Sequence, residues 1–249
     1  MVSFQIMSDL HIETHIGNPD VEDYITPSAQ ILILAGDIGR AHRFEQLQTF
    51  LEKVCARFKT VLYVLGNHEY YRVDGIPPRP MEVVLQDIQN LQKSIPNLYI
   101  LNRNCMIFDN VCIVGCTLWS NASIDTPPFI VRIPNMNIAK YNSLHRKDLA
   151  YIESLISYCK KNGLKLVVVT HHAPTFRVGS RRKGDRYKSL YCSHLDRLLD
   201  SGKVHTWICG HTHRNFDFKT ELGTRLVSNQ KGKPKDRITD FVKIKVISV

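Results

Sequence analysis

The stretch Val61-Leu62-Tyr63-Val64-Leu65-Gly66-Asn67-His68-Glu69 joins a run of apolar residues to a loop of polar ones. The apolar run is typical of a buried strand, and the amide, imidazole and carboxylate groups after it are groups that bind divalent metals. Four other strand-like runs end in junctions of the same kind, which are Ser8-Asp9-Leu10-His11, Ala35-Gly36-Asp37, Thr170-His171-His172 and Gly210-His211-Thr212-His213. Because ligands bind beyond the carboxyl ends of strands in open α/β sheets, these junctions together predict a metal site.

The rest of the chain alternates between helical and strand-like patterns. Apolar residues recur at helical spacing over 41–58, 81–95 and 143–162, and residues 190–200 are predicted as a fourth helix. Strands are predicted at Phe4–Met7, Ile31–Leu34, Val61–Leu65, Leu166–Val169, Trp207–Cys209, 225–227 and 241–247, with a hairpin over 98–118 that turns at Asp109-Asn110. This order predicts a mixed α/β protein that begins with parallel βαβ pairing.

The composition is that of an ordinary globular protein. The chain has 249 residues, of which 43% are hydrophobic and 22% charged, and the absence of a linker-like break predicts one domain over residues 1–249. We see no signal peptide and no apolar run near the ~18 residues of a membrane span, so a cytoplasmic location is expected. The seven cysteines are expected to be free thiols in a reducing compartment, since a zinc site among Cys105, Cys112 and Cys116 would lack a Cys-x-x-Cys pair.

The charge is strongly basic. The chain has 33 lysine and arginine residues against 23 aspartate and glutamate residues, and its pI is about 9.3. Such a balance favours polyanionic partners, namely a phosphorylated small molecule, a nucleotide, nucleic acid or an anionic membrane. Two basic clusters, 177–188 and 231–237, are either solvated loops or, for the first, a cover over the metal site in which Arg181 and Arg182 hold phosphate oxygens.

Within the junctions, spacing suggests individual roles. Asp9 and His11 are two residues apart, as are His211 and His213, so in an extended chain each pair would face one way and bind one metal. Asp37 is the natural bridge between two metals, and Asn67 offers a neutral amide oxygen. His171 is preferred to His172 as a ligand because it follows the strand directly, which leaves His172 to orient a ligand or contact substrate.

The series Asp-x-His, Gly-Asp, Gly-Asn-His-Glu, His-His and Gly-His-x-His resembles the calcineurin-like metallophosphoesterase superfamily, and in particular a small single-domain branch of it. The resemblance extends over residues 7–213. It implies two mixed β-sheets packed face to face with helices outside, a four-layer α/β/β/α sandwich. In this family the positions matching Asp9, His11, Asp37 and His213 hold one metal, and those matching Asp37, Asn67, His171 and His211 hold the other.

The resemblance also implies the chemistry. His68 matches the position that protonates the leaving oxygen or orients the substrate, a role suited to an imidazole whose pKa lies near neutrality. Two divalent ions ~3.5–4 Å apart would activate a shared water, whose hydroxide form attacks the phosphate in line. The family suggests Mn²⁺, while the ligand types also admit Fe, Zn, Mg or Co.

The substrate is less constrained than the chemistry. Ser/Thr protein phosphatases of this superfamily carry a further Asp-Arg-Gly after Gly-Asp, whereas this chain reads Gly36-Asp37-Ile38-Gly39-Arg40, in which Arg40 has the wrong spacing to substitute. We therefore expect a phosphodiesterase on a nucleotide-like substrate rather than a protein phosphatase. A nuclease or other nucleic-acid phosphoesterase is the alternative, and a non-catalytic interaction protein on the same fold is a third.

Overall fold

The computed structural model describes residues 1–179 and 185–249, so Arg181 and Arg182 lie outside the described residues. Its strands form two mixed sheets. The strands are β1 (Ser3–Met7), β2 (Ile31–Ala35), β3 (Thr60–Val64), β4 (Leu98–Leu101), β5 (Asn104–Phe108), β6 (Val111–Cys116), β7 (Lys165–Thr170), β8 (Thr206–Ile208), β9 (Asp217–Lys219), β10 (Arg225–Val227) and β11 (Val246–Ser248). The α-helices are α1 (Phe44–Cys55), α2 (Met81–Ser94), α3 (Ile138–Asn162) and the short α4 (Asp196–Leu199).

The first sheet has the order β11-β1-β2-β3-β4, in which β1 to β4 are parallel and β11 is antiparallel. The second has the order β5-β6-β7-β8-β10-β9, with a parallel centre and antiparallel strands at both edges. Parallel neighbours end at the same edge of a sheet, so the loops that follow β1, β2, β3, β7 and β8 come together.

Alternation along the strands builds the layers. In β2, Ile31 and Ile33 belong to the apolar cluster between the two sheets, whereas Leu32 and Leu34 pack with α1 and α2 on the outer face. In the second sheet, Ile113 faces the first sheet and Val114 faces the helix α3. The predicted arrangement of two mixed sheets with helices outside is thus confirmed.

Gly115, in β6, packs directly against β4 of the other sheet. A Cβ atom at this position would lie 2.5 Å from Cβ of Leu101 in β4, so the position has no room for a side chain. The predicted hairpin is confirmed for β5 and β6, which turn at Asp109-Asn110. The residues before it, Leu98–Leu101, pair instead with β3 in the other sheet, because the parallel register with residues 61–64 is available to them.

Three predicted elements differ from the structure. Only Asp196–Leu199 of the expected helix 190–200 is α-helical, because Cys192 and its neighbours pair their backbone with the loop at Ala173. Only Val246–Ser248 represents the expected strand 241–247, since the amide of Val242 is taken up by the side chain of Asn229. The third helix starts at Ile138, where the side chain of Asn137 caps it.

All seven cysteines are free, as predicted, and six of them are buried. Among the residues with described coordinates, no helix combines the length and the apolar character that crossing a bilayer would require.

Candidate metal centre

The polar residues at the strand ends converge on one edge of the two sheets. Asp9 and His11 follow β1, Asp37 follows β2, Asn67 and His68 follow β3, His171 and His172 follow β7, and His211 and His213 follow β8. Backbone hydrogen bonds join these loops: the amides of Asp9 and His11 donate to Gly36 and Asp37, and the amide of Gly210 donates to His171. The first two bonds join loops of the first sheet, and the last bond joins two loops of the second sheet.

Five of these residues have left-handed backbones, namely Asp9, His11, Asp37, His211 and His213, with φ between 48° and 67°. Such conformations cost free energy in residues other than glycine and concentrate at functional sites. The backbone at these residues is therefore not extended. The prediction of an extended chain at Asp9–His11 and at His211–His213 is wrong. The first pair stays together, but His211 and His213 face different groups of side chains.

The first group consists of Asp9, His11 and His213, whose nearest ligand atoms lie within 4.8 Å of one another. Oδ1 of Asp9 lies 3.3 Å from Nε2 of His213, and the Nε2 atoms of His11 and His213 are 3.1 Å apart. Asp9 and His11 are fully buried.

The second group consists of Asp37, His171 and His211. Nε2 of His171 lies 3.2 Å from Oδ1 of Asp37 and 3.0 Å from Oδ1 of Asn67. The other carboxylate oxygen of Asp37, Oδ2, lies 3.9 Å from Nε2 of His11. Asp37 therefore stands between the two groups, with one oxygen towards each.

The hydrogen bonds of the histidines fit bound cations. Nδ1 of His11 lies 3.1 Å from Glu13, Nδ1 of His213 lies 2.6 Å from Asp236, and Nδ1 of His171 lies 2.9 Å from the carbonyl of Ala35. When each Nδ1 donates its proton outward, each Nε2 points a lone pair into the site. Two such lone pairs 3.1 Å apart, between His11 and His213, are an arrangement that a cation stabilises.

The electrostatics of the site also favour positive charge. Burial works against charging His171, but Asp37 and Asp9 outweigh it and raise its pKa to about 9. Burial likewise opposes charge on His213, while its bonds to Asp236 and Asp9 raise its pKa to about 10. Carboxylates and imidazoles of this kind suit borderline divalent metals.

His172 supports the second group from outside. It is fully buried, its Nε2 lies 3.0 Å from the hydroxyl of Tyr141, and its ring centroid lies 4.1 Å from that of His211. His171, not His172, is the histidine beside Asp37.

His68 lies at the edge of the site with two unexpected neighbours. Its Nδ1 is 3.0 Å from Oε1 of Glu13, and its Nε2 is 3.1 Å from Nζ of Lys233. Burial lowers the pKa of His68 to about 4, against the opposing pull of Asp37 and Glu13. Because the ring is removed from water, burial favours the neutral form of His68.

Glu69 ties β2 to β3. Its buried carboxylate accepts hydrogen bonds from the amides of Asp37, Ile38 and Gly66 and from the hydroxyl of Tyr63. Burial, reinforced by Asp37, raises the pKa of Glu69 to about 7. Its role is to hold the loops that carry Asp37 and Asn67.

Sequence reasoning missed Glu13, Lys233 and Asp236. Glu13 orients both His11 and His68, and Asp236 orients His213. The only sequence signals were the Glu that closes the motif Ser8–Glu13 and the basic cluster 231–237, neither of which indicates these contacts. In the other basic cluster, Arg177 pairs with Asp196 and Asp200 at α4 and does not reach the site.

A cavity of about 790 Å³ opens over the candidate ligands. Its wall includes Asp37, Asn67, His68, His211 and His213 on the polar side. The other lining residues are of three kinds. The charged ones are the cationic Arg40, Arg132, Lys233 and Lys235 and the acidic Glu13, Asp185 and Asp236, the hydroxyl-bearing ones are Thr14 and Thr212, and the apolar or aromatic ones are Tyr71, Phe129, Ile130, Val131, Tyr141, Leu190, Tyr191 and Ile238. Arg40 thus lies at the cavity despite its unusual spacing in the sequence.

Comparisons with known proteins identify a matching family and several relatives. The model of the family described as calcineurin-like phosphoesterase matches residues 3–215. An uncharacterised protein of Acanthamoeba polyphaga mimivirus is 26% identical over 226 residues, covering 83% of this chain and 79% of its own length. The acyl-carrier-protein phosphodiesterase PptH of Mycobacterium tuberculosis is 37% identical over 73 residues, covering 28% of this chain and 22% of its own length.

Solved structures share the fold. The crystal structure of that phosphopantetheinyl hydrolase, PptH, superposes with a TM-score of 0.72 at 17% identity, covering 94% of this chain and 90% of the other. A dimetal phosphatase from Danio rerio has a TM-score of 0.58 at 14% identity, covering 91% of this chain and 86% of the other.

Proposed function

The chain belongs to the calcineurin-like phosphoesterase family, and from this we propose that it is a two-metal-dependent phosphodiesterase acting on a nucleotide-like substrate. The observation that carries the proposal is the position of Asp37, whose two carboxylate oxygens lie beside His171 of one group of candidate ligands and His11 of the other. Ligand sets that share a carboxylate are suited to a pair of ions held close together. That the site binds two ions is part of what we propose.

We assign Asp9, His11, Asp37 and His213 to one ion, and Asp37, Asn67, His171 and His211 to the other. When bound, such ions supply an activated water and neutralise the charge that develops on the phosphate. Mn²⁺ is the ion to test first, and the carboxylate, amide and imidazole donors also suit Fe, Zn, Mg or Co.

The chain's own residues do the rest. Glu13 and Asp236 hold His11 and His213 at their Nδ1 atoms, so the rings are oriented before any ion arrives. His68 lines the cavity beside Asp37, where we expect it to contact the substrate phosphate. Burial of Asp37 and His171 keeps bulk water from the interior of the site.

A diester is favoured over a monoester by the size of the cavity. A volume of about 790 Å³ exceeds what a phosphate and one small substituent need, and Tyr71, Ile130 and Tyr191 provide surfaces for a second substituent. PptH, the relative with a TM-score of 0.72, is itself named a phosphodiesterase, which supports the same reaction type. Phosphopantetheinylated acyl carrier protein is therefore a substrate to include beside nucleotide diesters.

A nucleic-acid phosphoesterase is the second candidate. It is favoured by the formal net charge of +10 and by Arg40, Arg132 and Lys235 at the cavity. Nucleic-acid binding would weaken steeply as salt rises, because contacts to several phosphates release counterions. A salt titration of substrate affinity thus separates the two candidates.

We further propose that residues 1–249 act as one domain in the cytoplasm. Both sheets and the segment after β10 contribute to one site, which supports the first statement. The free, mostly buried cysteines support the second, because thiols persist in reducing compartments.

The test is hydrolysis of bis-p-nitrophenyl phosphate beside p-nitrophenyl phosphate, with Mn²⁺ added. We expect metal-dependent turnover that favours the diester and disappears in Asp37→Asn. Asp125→Asn, at an exposed position, is the matched control. Preference for the monoester would overturn the diester assignment, and turnover that persists in EDTA would overturn the metal mechanism.

A further inference from the structure

A segment outside the family match forms one wall of the site. The match ends at residue 215, but residues 230–236 run back along the loop after β1. The amides of Lys231 and Gly232 donate to the carbonyls of Ser8 and Asp9, and the side chain of Gln230 accepts from the amide of His213. This segment is therefore fixed against the candidate ligands at several points.

Lys233 is held within this segment from both ends. Its backbone amide donates to Oδ2 of Asp236 at 2.8 Å, and the same oxygen lies 2.6 Å from Nδ1 of His213. At its other end, Nζ lies 3.1 Å from Nε2 of His68. The ammonium group is thus placed at the cavity, half-buried and beside His68.

The ammonium group of Lys233 can donate more hydrogen bonds than the described residues accept from it. Within residues 1–179 and 185–249, Nε2 of His68 is its hydrogen-bond acceptor, and an ammonium carries three N–H donors. The nearby carboxylate of Glu13 gives Oε1 to His11 and His68, and its Oε2 atom is buried without a hydrogen-bond partner among the described residues, so it does not bind Lys233 either. Burying an ammonium with one neutral acceptor is costly unless a further acceptor arrives, and the cavity is the side from which one can arrive.

We propose that Lys233 is a catalytic residue that binds an oxygen of the substrate phosphate next to His68. The proposal rests on the proposed phosphodiesterase function. A phosphodiester brings an anionic oxygen to the face of the cavity that Lys233 shares with His68, and an ammonium there stabilises charge that grows in the transition state. Charge-assisted hydrogen bonds of this kind are stronger than neutral ones.

The test compares Lys233→Met with Lys231→Met in the Mn²⁺-loaded protein. Lys231 lies on the same segment, but its Nζ packs over the ring of Tyr24, away from the cavity. We expect kcat/KM for bis-p-nitrophenyl phosphate to fall roughly 10- to 100-fold in Lys233→Met and less than about twofold in Lys231→Met. Lys233→Arg, which keeps the charge, should recover part of the loss, and metal content should be equal in all variants.

A second readout separates this proposal from the proposed function. The affinity of the Mn²⁺-loaded protein for inorganic phosphate, measured by calorimetry, should fall about tenfold in Lys233→Met and stay unchanged in Lys231→Met. If the wild type binds phosphate but hydrolyses no diester, the proposed function fails while the phosphate affinities still decide the role of Lys233. Equal phosphate affinity in Lys233→Met and wild type would overturn contact with the substrate, even where turnover falls, because Lys233 would then act only by positioning His68.

Discussion

Among single residues, Asp37 is the one that lies between the two groups of candidate ligands. Its two carboxylate oxygens face His171 and His11, and its left-handed backbone is held by the bond from its own amide to Glu69. A substitution that tests the carboxylate must therefore tolerate a positive φ, which asparagine does better than alanine.

We expect Asp37→Asn to bind fewer than two ions per chain and to lose about 10³-fold or more in turnover, since a neutral amide cannot bridge two cations. Metal content by plasma mass spectrometry and turnover of bis-p-nitrophenyl phosphate are the measurements. Full two-ion content in this variant would exclude Asp37 as the bridge. Asp125→Asn should match the wild type in both.

His68 can be tested separately from the ligands. We expect His68→Ala to keep both ions and to lose roughly 10²–10⁴-fold in kcat for diesters with poor leaving groups, with a smaller loss for good ones, because the negative charge of a bound phosphate would raise the pKa of His68 and let it protonate the leaving oxygen. The alternative is that His68 is itself a ligand, since its ring nitrogen lies near His11 and Asp37. The control is His194→Ala, since His194 is exposed. If His68→Ala loses an ion and His194→Ala does not, His68 is a ligand.

At the element scale, the ends of β2 and β3 are joined by one buried carboxylate. Glu69 accepts hydrogen bonds from three backbone amides and from the hydroxyl of Tyr63. These bonds satisfy donors in the loops, where the hydrogen bonding of the sheet has ended. Gly66 lies against Asp37 and His171 so closely that any Cβ would overlap them. The two loops can therefore lie close together because position 69 carries a carboxylate and position 66 carries no side chain.

We expect Glu69→Ala to lower the free energy of unfolding by roughly 2–5 kcal/mol, because several buried donors lose their acceptor. Tyr63→Phe, which removes one donor from the same cluster, should cost only about 1 kcal/mol. Urea denaturation of both variants measures this difference. Equal midpoints for the two would mean that water replaces the carboxylate, so that Glu69 does not hold the loops.

At the scale of the whole molecule, the candidate ligands come from both sheets. Asp9, Asp37 and Asn67 follow strands of the first sheet, while His171 and His211 follow strands of the second. An ion bound by these residues would therefore join the two halves of the sandwich, and we expect ion binding and global stability to be linked.

We expect Mn²⁺ at about 100 times its dissociation constant to stabilise the fold by about 2.7 kcal/mol per ion site, and so to raise Tm by several degrees. Differential scanning calorimetry with Mn²⁺ and with EDTA measures the shift. Asp37→Asn should lose most of it. A Tm independent of Mn²⁺ in the wild type would argue against ion binding between the sheets.

The predictable part of this molecule is local. Each strand that precedes a candidate ligand is predicted within one or two residues of its bounds, because a continuous apolar run followed by polar metal-binding residues is a pattern of neighbouring residues. The prediction of a helix over all of 190–200 is wrong, because the backbone of Cys192 pairs with Ala173, about twenty residues earlier in the chain. Local spacing carries no information about such a partner.

The local sequence thus predicts which metal-binding residue types follow the strands, and the motif resemblance predicts the sandwich of two sheets with helices outside. The resemblance already assigned His211 and His213 to different ions, and the tertiary structure shows that left-handed backbones place them in different groups. Only the tertiary structure decided that Glu13, Lys233 and Asp236 surround the histidines of the site. The physical reason is distance along the chain: His68 and Lys233 are 165 residues apart, and their contact exists only after both sheets have formed.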